Sequence, residues 1–361
     1  MPTQQPAATV MLRFSDARAI QHVNDPIHRD LSTATRCGDS LFLSCDETAG
    51  VDRLTRCDDG LWGNHVHYPL GGLIDLPAGP DGEMDIEGLH CADGWLWVCG
   101  SHSLKRKRPK RPGHGPIQAL ERMETIGRDP NRWFLGRFPL AEHDGGFVPV
   151  AIDGTRRAAC IELKRKKPKM VKWLRDDPHI GAFMSIPSKE NGFDVEGIAA
   201  RGDRVWLGLR GPVLRGHAVV IEMRMKVTGD GHLKPRKIDG DRRYRKHILP
   251  TDGQGIRDLA FDGDDMLVLT GPTMAGDGPA AVLRWPDALK DTRSMVHAPD
   301  RLQHVMDLPY RGAWDHPEGL VSWDGIAGGE TAWLVVYDSP AEKRISREGS
   351  GVTADVWHMP S

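Results

Sequence analysis

"DVEGIAARGDRVWLGLRGP", residues 194–212, sets an acid-x-acid-Gly start before an apolar run, then an Arg-Gly-Asp turn, a second apolar run and Arg-Gly-Pro. Two short runs rich in Val, Leu, Ile and Trp, joined by a tight Gly/Asp turn, read as an antiparallel hairpin. Glu196 then stands at one end of the first strand, where an isolated carboxylate has no place in an apolar core.

The same text recurs along the chain. "DIEGLHCADGWLWVCGSHS" begins at Asp85 and "GIRDLAFDGDDMLVLTGP" at Gly255. "HPEGLVSWDG" begins at His316 and resumes at "TAWLVVYDSP" after an insertion, and "DLSTATRCGDSLFLSCDE", from Asp30, is the most degenerate copy. Four copies keep one interval between the apolar residue of the first strand and that of the second: Ala34 to Leu41, Leu89 to Leu96, Ile198 to Val205 and Leu259 to Met266.

Third strands follow in "GVDRLTR", "RWFLGRF", "HAVVIEMRM", "AAVLRW" and "ADVWHM", and fourth strands in "HVHYPLGGLIDLP", "RRYRKHILP" and "LQHVMDLPY". Repeated four-stranded antiparallel sheets are the sequence signature of a β-propeller. The fold class expected is therefore all-β, a single propeller over 1–361, with five blades and six as the alternative. The N-terminal "ATVMLRFS" (8–15) would complete the last blade and close the ring.

The interval between the second and third starts is nearly twice the others, so segments 101–131 and 157–180 are expected as insertions in blade two. Short helices are expected there in "PIQALERMETI" and "KMVKWLRDD", with "FMSIPSKENGF" (183–193) as that blade's fourth strand.

First-strand starts and second-strand ends share one face of a propeller. Glu87, Glu196 and Glu318 should therefore ring the channel mouth, with Arg257 and Ser32 in the equivalent slots. Just outside should lie Asp46, Glu47, Ser101, His102, Arg210, Thr270 and Asp338. Converging glutamates repel, so they take up a cation or are neutralised by arginine. A hard ion such as Ca²⁺ or Mg²⁺ on Glu87, Glu196 and Glu318 is one expectation, and ion pairs to Arg210 and Arg257 the other. The alternating acids Asp81, Glu83, Asp85 and Glu87 read as a solvated loop without the EF-hand pattern.

Two basic runs, 104–111 and 164–169, interrupt a balanced chain of net charge −2. The first should overhang the glutamates and help admit a small anionic ligand. His102 and His316 are the candidate general bases. "HVH" (65–67) reads as strand alternation, "EGSGV" has the wrong spacing for a nucleophile elbow, and no P-loop or dinucleotide fingerprint is present. The six cysteines, without CxxC, read as reduced thiols. With no signal-peptide pattern and no long apolar run, a cytoplasmic protein is expected, with no membrane and no nucleic acid as partner; a protein partner fits the alternative of a non-enzymatic scaffold.

"SKENGFDVEGIA", "GLRGPVLRGHAVVIEM", "DIEGL" with "GSHSLKRK", and "HPEGL" closely resemble the bacterial family called domain of unknown function 3616, from about residue 30 to the end. That resemblance implies no activity. More distantly, the unit starts look like those of phytase-like and esterase-like propellers and calcium-activated nucleotidases, which place metal-binding carboxylates at the channel mouth. Arg257 departs from that pattern. Metal-assisted hydrolysis of a phosphate or ester is the chemistry this likeness and the acidic slot imply.

Overall fold

A computed structural model describes residues 5–359 except 22, 59, 111–112, 166–167, 325–330 and 348. The chain opens with β1 (Ala8–Phe14) and a single helical turn, α1 (Ala17–Ile20). The first sheet follows in order: β2 (Thr33–Cys37), β3 (Ser40–Ser44), β4 (Gly50–Arg56) and β5 (Trp62–Pro69). β6 (Ile86–Ala92) and β7 (Trp95–Gly100) start the second sheet. An insertion built on the β8 (Lys105–Arg106) and β9 (Ile126–Gly127) pair carries α2 (Pro116–Met123), and β10 (Leu135–His143) and β11 (Gly146–Pro149) then complete the sheet.

Two small pieces, the β12 (Ile152–Asp153) and β13 (Arg156–Arg157) hairpin and β14 (Ala159–Cys160), lead to α3 (Lys169–Leu174). The third sheet is β15 (Asp194–Arg201), β16 (Arg204–Gly211), β17 (His217–Val227) and β19 (Arg245–Pro250), with β18 (Leu233–Pro235) beside β17. The fourth is β20 (Gly255–Asp262), β21 (Asp265–Gly271), β22 (Ala280–Trp285) and β24 (Gln303–Leu308), while β23 (Met295–Val296) crosses to the edge of β19. β25 (His316–Trp323), β26 (Ala332–Asp338) and β27 (Ser350–His358) end the chain, and β1 pairs with β27 over Ala8–Phe14.

Each sheet's innermost strand packs on the next: β2 on β6, β6 on β15, β15 on β20, β20 on β25, and β25 back on β2. This closed ring of antiparallel sheets is the propeller. Its cores lie between neighbouring sheets, which explains the unbroken apolar text of the second strands. Side chains of a strand alternate between two faces, and both faces are covered. In "WLWVC", Leu96 and Val98 enter the core shared with the first sheet, and Trp97 and Cys99 that shared with the third. Val205, Leu207 and Leu209 face the second sheet, while Trp206 between them faces the fourth.

One strand differs from expectation. The fourth strand of the second sheet is β11, and "FMSIPSKENGF" instead forms two 3₁₀ turns, Gly181–Ser185 and Ser188–Glu190. Its Pro187 and the left-handed Asn191 (φ 62) break extension, and Gly192 packs where a Cβ would lie 2.0 Å from the Ile186 carbonyl oxygen. Helices form within "PIQALERMETI" and "KMVKWLRDD", at Pro116–Met123 and Lys169–Leu174.

Candidate site at the channel mouth

The acidic slot is shaped by a repeated local irregularity. In four of the sheets the pairing of first and second strand slips by a residue, between Ile86 and Gly88, Val195 and Gly197, Ile256 and Asp258, and Pro317 and Gly319. The residue skipped each time is Glu87, Glu196, Arg257 or Glu318. A bulge leaves its extra residue out of the ladder and re-aims its side chain, here into the mouth. The glycine that follows lets neighbouring inner strands approach: a Cβ on Gly88 would sit 2.7 Å from Ile198 Cγ2, and one on Gly197 3.0 Å from the Asp258 backbone. Where that slot holds Thr33 or Asp258, the side chain accepts from the next inner strand, Leu89 N–H at 3.2 Å and Leu320 N–H at 2.7 Å.

Glu87, Glu196, Arg257 and Glu318 line a cavity of about 340 Å³, together with Asp30, Ser32, Asp46, Asp85, Asp194 and Asp338. Its two sides are neutralised differently. On one, Arg210 reaches Asp194 at 2.5 Å and Glu196 at 2.6 Å, and Arg257 reaches Glu196 at 2.8 Å and grips Glu318 through two of its nitrogens, Nε to Oε2 at 2.6 Å. The Asp194 carboxyl is still pushed up to about 7, chiefly by burial, with Arg210 opposing it.

On the other side, Asp46, Asp85 and Glu87 each offer an oxygen within 4.8 Å of the others. Arg132 holds Asp85 at 2.5 Å and also pairs with Glu83. Burial first, then the neighbouring Asp85 and Asp338, raises the Asp46 carboxyl well above the usual range; burial, then Asp46 and Glu196, does the same to Glu87. Asp30 is pushed up to about 9 by burial and by Asp46 and Asp338. A set of adjacent carboxylates in a desolvated cavity holds protons or a cation. All-oxygen donors of this kind suit hard ions such as Ca²⁺ or Mg²⁺.

The two expectations for the glutamates therefore apply to different residues. Arginine neutralises Glu196 and Glu318, whereas Glu87 lies with Asp46 and Asp85, so the cation candidates become Asp46, Asp85 and Glu87. The acidic run 81–87 is not a solvated loop, because Asp85 is buried and Glu83 and Asp85 both hold Arg132.

His316 stands at the edge, half-buried, with Nε2 3.4 Å from Asp277 and Nδ1 3.8 Å from Asp338. The Asp338 carboxylate beside it raises its pKa. His102 is buried outside the cavity lining, and burial lowers it to about 4. Thr270 is likewise away from the cavity, bonded to the Gln254 side chain at 2.6 Å.

Lys105, Arg106, Lys107, Arg108 and Pro109 of the first basic run line the opening, as does Lys189; Arg111 lies outside the described residues. In the second run, Lys164 and Lys169 pair with Glu162 at 2.7 and 2.5 Å, and Lys166 and Lys167 lie outside the described residues. Sequence reasoning missed Asp30, Asp194 and Arg132. A signal for the two aspartates existed, since Asp30, Asp85 and Asp194 each stand two positions before Ser32, Glu87 and Glu196.

A ring of antiparallel sheets with charged side chains converging at one end of its axis defines a β-propeller with a polar mouth. The chain belongs to the DUF3616 family, described as a protein of unknown function, whose model matches residues 30–355. No curated protein matches it. Among solved structures it is similar to the exo-β-1,3-galactanase of Clostridium thermocellum (10% identity, 96% of this chain and 61% of that one, TM-score 0.43). It is also similar to the α-L-arabinanase of Cellvibrio cellulosa (10%, 90% and 95%, TM-score 0.39) and to the PQQ-bound aldose sugar dehydrogenase of Streptomyces coelicolor (12%, 98% and 100%, TM-score 0.34).

Proposed function

We propose that the mouth binds a small anionic ligand together with a divalent cation, Ca²⁺ or Mg²⁺, held by Asp46, Asp85 and Glu87. The observation that carries this reading is the grouping of those three carboxylates in a cavity whose opening is lined by Lys105, Lys107, Arg108 and Lys189. Metal-assisted hydrolysis of a phosphate or ester is the reaction this set supports. The cation would polarise the bound group, the lysines and Arg108 would balance its charge, and His316, tuned upward by Asp338, would accept a proton. All six cysteines are free thiols, which supports a reducing compartment such as the cytoplasm.

The competing reading is a scaffold that binds a protein partner, favoured by the arginine plug of Glu196 and Glu318. Thermal unfolding of chelator-treated protein separates the two. Under the first reading Ca²⁺, Mg²⁺ or Mn²⁺ raises the midpoint, and Asp46→Asn together with Glu87→Gln abolishes the rise. A midpoint unmoved by every ion removes the cation, and turnover of phosphate and ester substrates after chelation then removes its catalytic role.

A further inference from the structure

The exposed apolar side chains are not scattered. Of the eleven large ones exposed among the described residues, seven lie on three connections at the mouth end of the ring. Ile117 (73% exposed), Leu120 (67%), Met123 and Ile126 lie on the insertion between β7 and β10, whose basic strand lines the opening. Met274 (59%) lies between β21 and β22, beside a smaller cavity that shares Arg210, Arg257 and Lys189 with the mouth. Tyr310 (57%) and Trp314 (54%) lie in the connection from β24 to β25. The antiparallel pairings put all three connections at the end of the ring where β25 begins and β16 ends. Val227, by contrast, ends β17 at the opposite face.

The charge on the first of these connections has one sign in excess. Between Leu104 and Asp129 the described residues include seven Lys and Arg against three Asp and Glu. Among the described residues Lys107, Lys110 and Arg128 have no ion pair, whereas Lys105 and Arg106 pair with Glu83 and Glu190. α2 sets Ile117, Leu120 and Met123 at helical spacing toward solvent beside this basic strand. Apolar protrusions with Trp and Tyr, next to unpaired cations, are the composition of a surface that rests in the headgroup layer of a bilayer. The protrusions come from the second, fourth and fifth sheets, around the axis, so one extended surface is needed to cover them.

We infer that the mouth face docks on an anionic lipid membrane, inserting Leu120 and Trp314 while the basic strand meets lipid phosphates. This departs from the sequence expectation of no membrane partner. That expectation rested on a balanced total charge and the lack of a long apolar run, and neither reports where exposed side chains gather. The contact inferred is peripheral, and no helix among the described residues is long and apolar enough to cross a membrane. The inference does not rest on the cation reading of the mouth.

The test is co-sedimentation of the full chain with vesicles of phosphatidylcholine alone and of phosphatidylcholine mixed with phosphatidylglycerol, at low and high salt. The expected result is binding to the anionic vesicles only, weakened by salt. Leu120→Glu and Trp314→Ser, each on a separate connection, should each lower the partition about tenfold with the unfolding midpoint unchanged. No binding to anionic vesicles overturns the inference, and so does binding that both variants retain, which is adsorption through charge alone. Indifference to vesicles with self-association that Leu120→Glu abolishes also overturns it, and assigns the face to a second copy of this chain. Cation-induced stabilisation of Leu120→Glu, read in the absence of lipid, reports on the mouth separately.

Discussion

Arg257 occupies the slot that three other sheets fill with glutamate, and it serves two of those glutamates at once. Its removal leaves Glu196 and Glu318 largely desolvated and short of a partner, the situation in which a broken buried pair is costly. Arg257→Ala should lose about 3–5 kcal/mol of stability by urea unfolding, and adding Glu318→Gln should restore part of it. A loss that Glu318→Gln deepens instead would show that Arg257 acts through packing. At this scale the glutamate slot was readable, because a repeat exposes a polar residue that its apolar surroundings do not explain. The partners were not, because Arg132 lies far along the chain from Asp85 and enters through the connection before β10. Glu87 and Glu196 look alike in sequence and differ in the structure because Arg210 and Arg257 pair with Glu196, whereas Glu87 stands beside Asp46 and Asp85.

The inner strands owe their spacing to the glycines that follow the mouth residues. Gly88→Ala would drive a methyl group into Ile198 of the next sheet, and overpacking of this kind costs about 1–3 kcal/mol. Chemical denaturation of Gly88→Ala should show that loss. An unchanged stability would mean that β6 and β15 can part freely. The pair Glu-Gly was visible in the sequence as a motif, whereas the bulge that gives it meaning was not, because register belongs to two strands and not to one. "FMSIPSKENGF" passed for an edge strand because it stands where "HILPTDGQG" stands before the next unit, and only its packing around Gly192 and Asn191 shows turns.

Ring closure ties the two ends of the chain. β1 covers the edge of β27, and beyond it the Ser15 and Asp16 N–H groups donate to His65 Nδ1 at 2.9 and 2.8 Å, while His65 Nε2–H donates to Asp52 at 2.6 Å. "HVH" is therefore more than strand alternation, because both histidines hold the buried Asp52. Deleting residues 1–14 should bare the β27 edge and produce concentration-dependent aggregation, read by light scattering; a monomer of unchanged midpoint would show that the ring closes without β1. The mouth carboxylates set a pH dependence on the whole fold. Between the ordinary value of 3.8 and about 9, Asp30 keeps its proton in the folded state and loses it in the unfolded state. Its contribution to stability is thus present at the acid end of that window and lost as pH rises through it. A cation that displaces protons from this cluster should raise the unfolding midpoint more at the alkaline end than at the acid end. An increment independent of pH would place the ion elsewhere.

The sequence by itself determined the repeat, the antiparallel units and the mouth as the place where charge converges, because strand alternation and turn chemistry are local and recur with each unit. Only the tertiary structure decided which charges cancel and which stand together. The bulges aim Glu87, Glu196, Arg257 and Glu318 inward from four sheets, and connections from elsewhere bring Arg132 to one side and Asp46 to its neighbours. It likewise gathered the exposed Trp314, Leu120 and the basic strand on one face of a chain whose overall charge is close to neutral. Ion pairing and exposure depend on distance in space, which no single stretch of sequence contains.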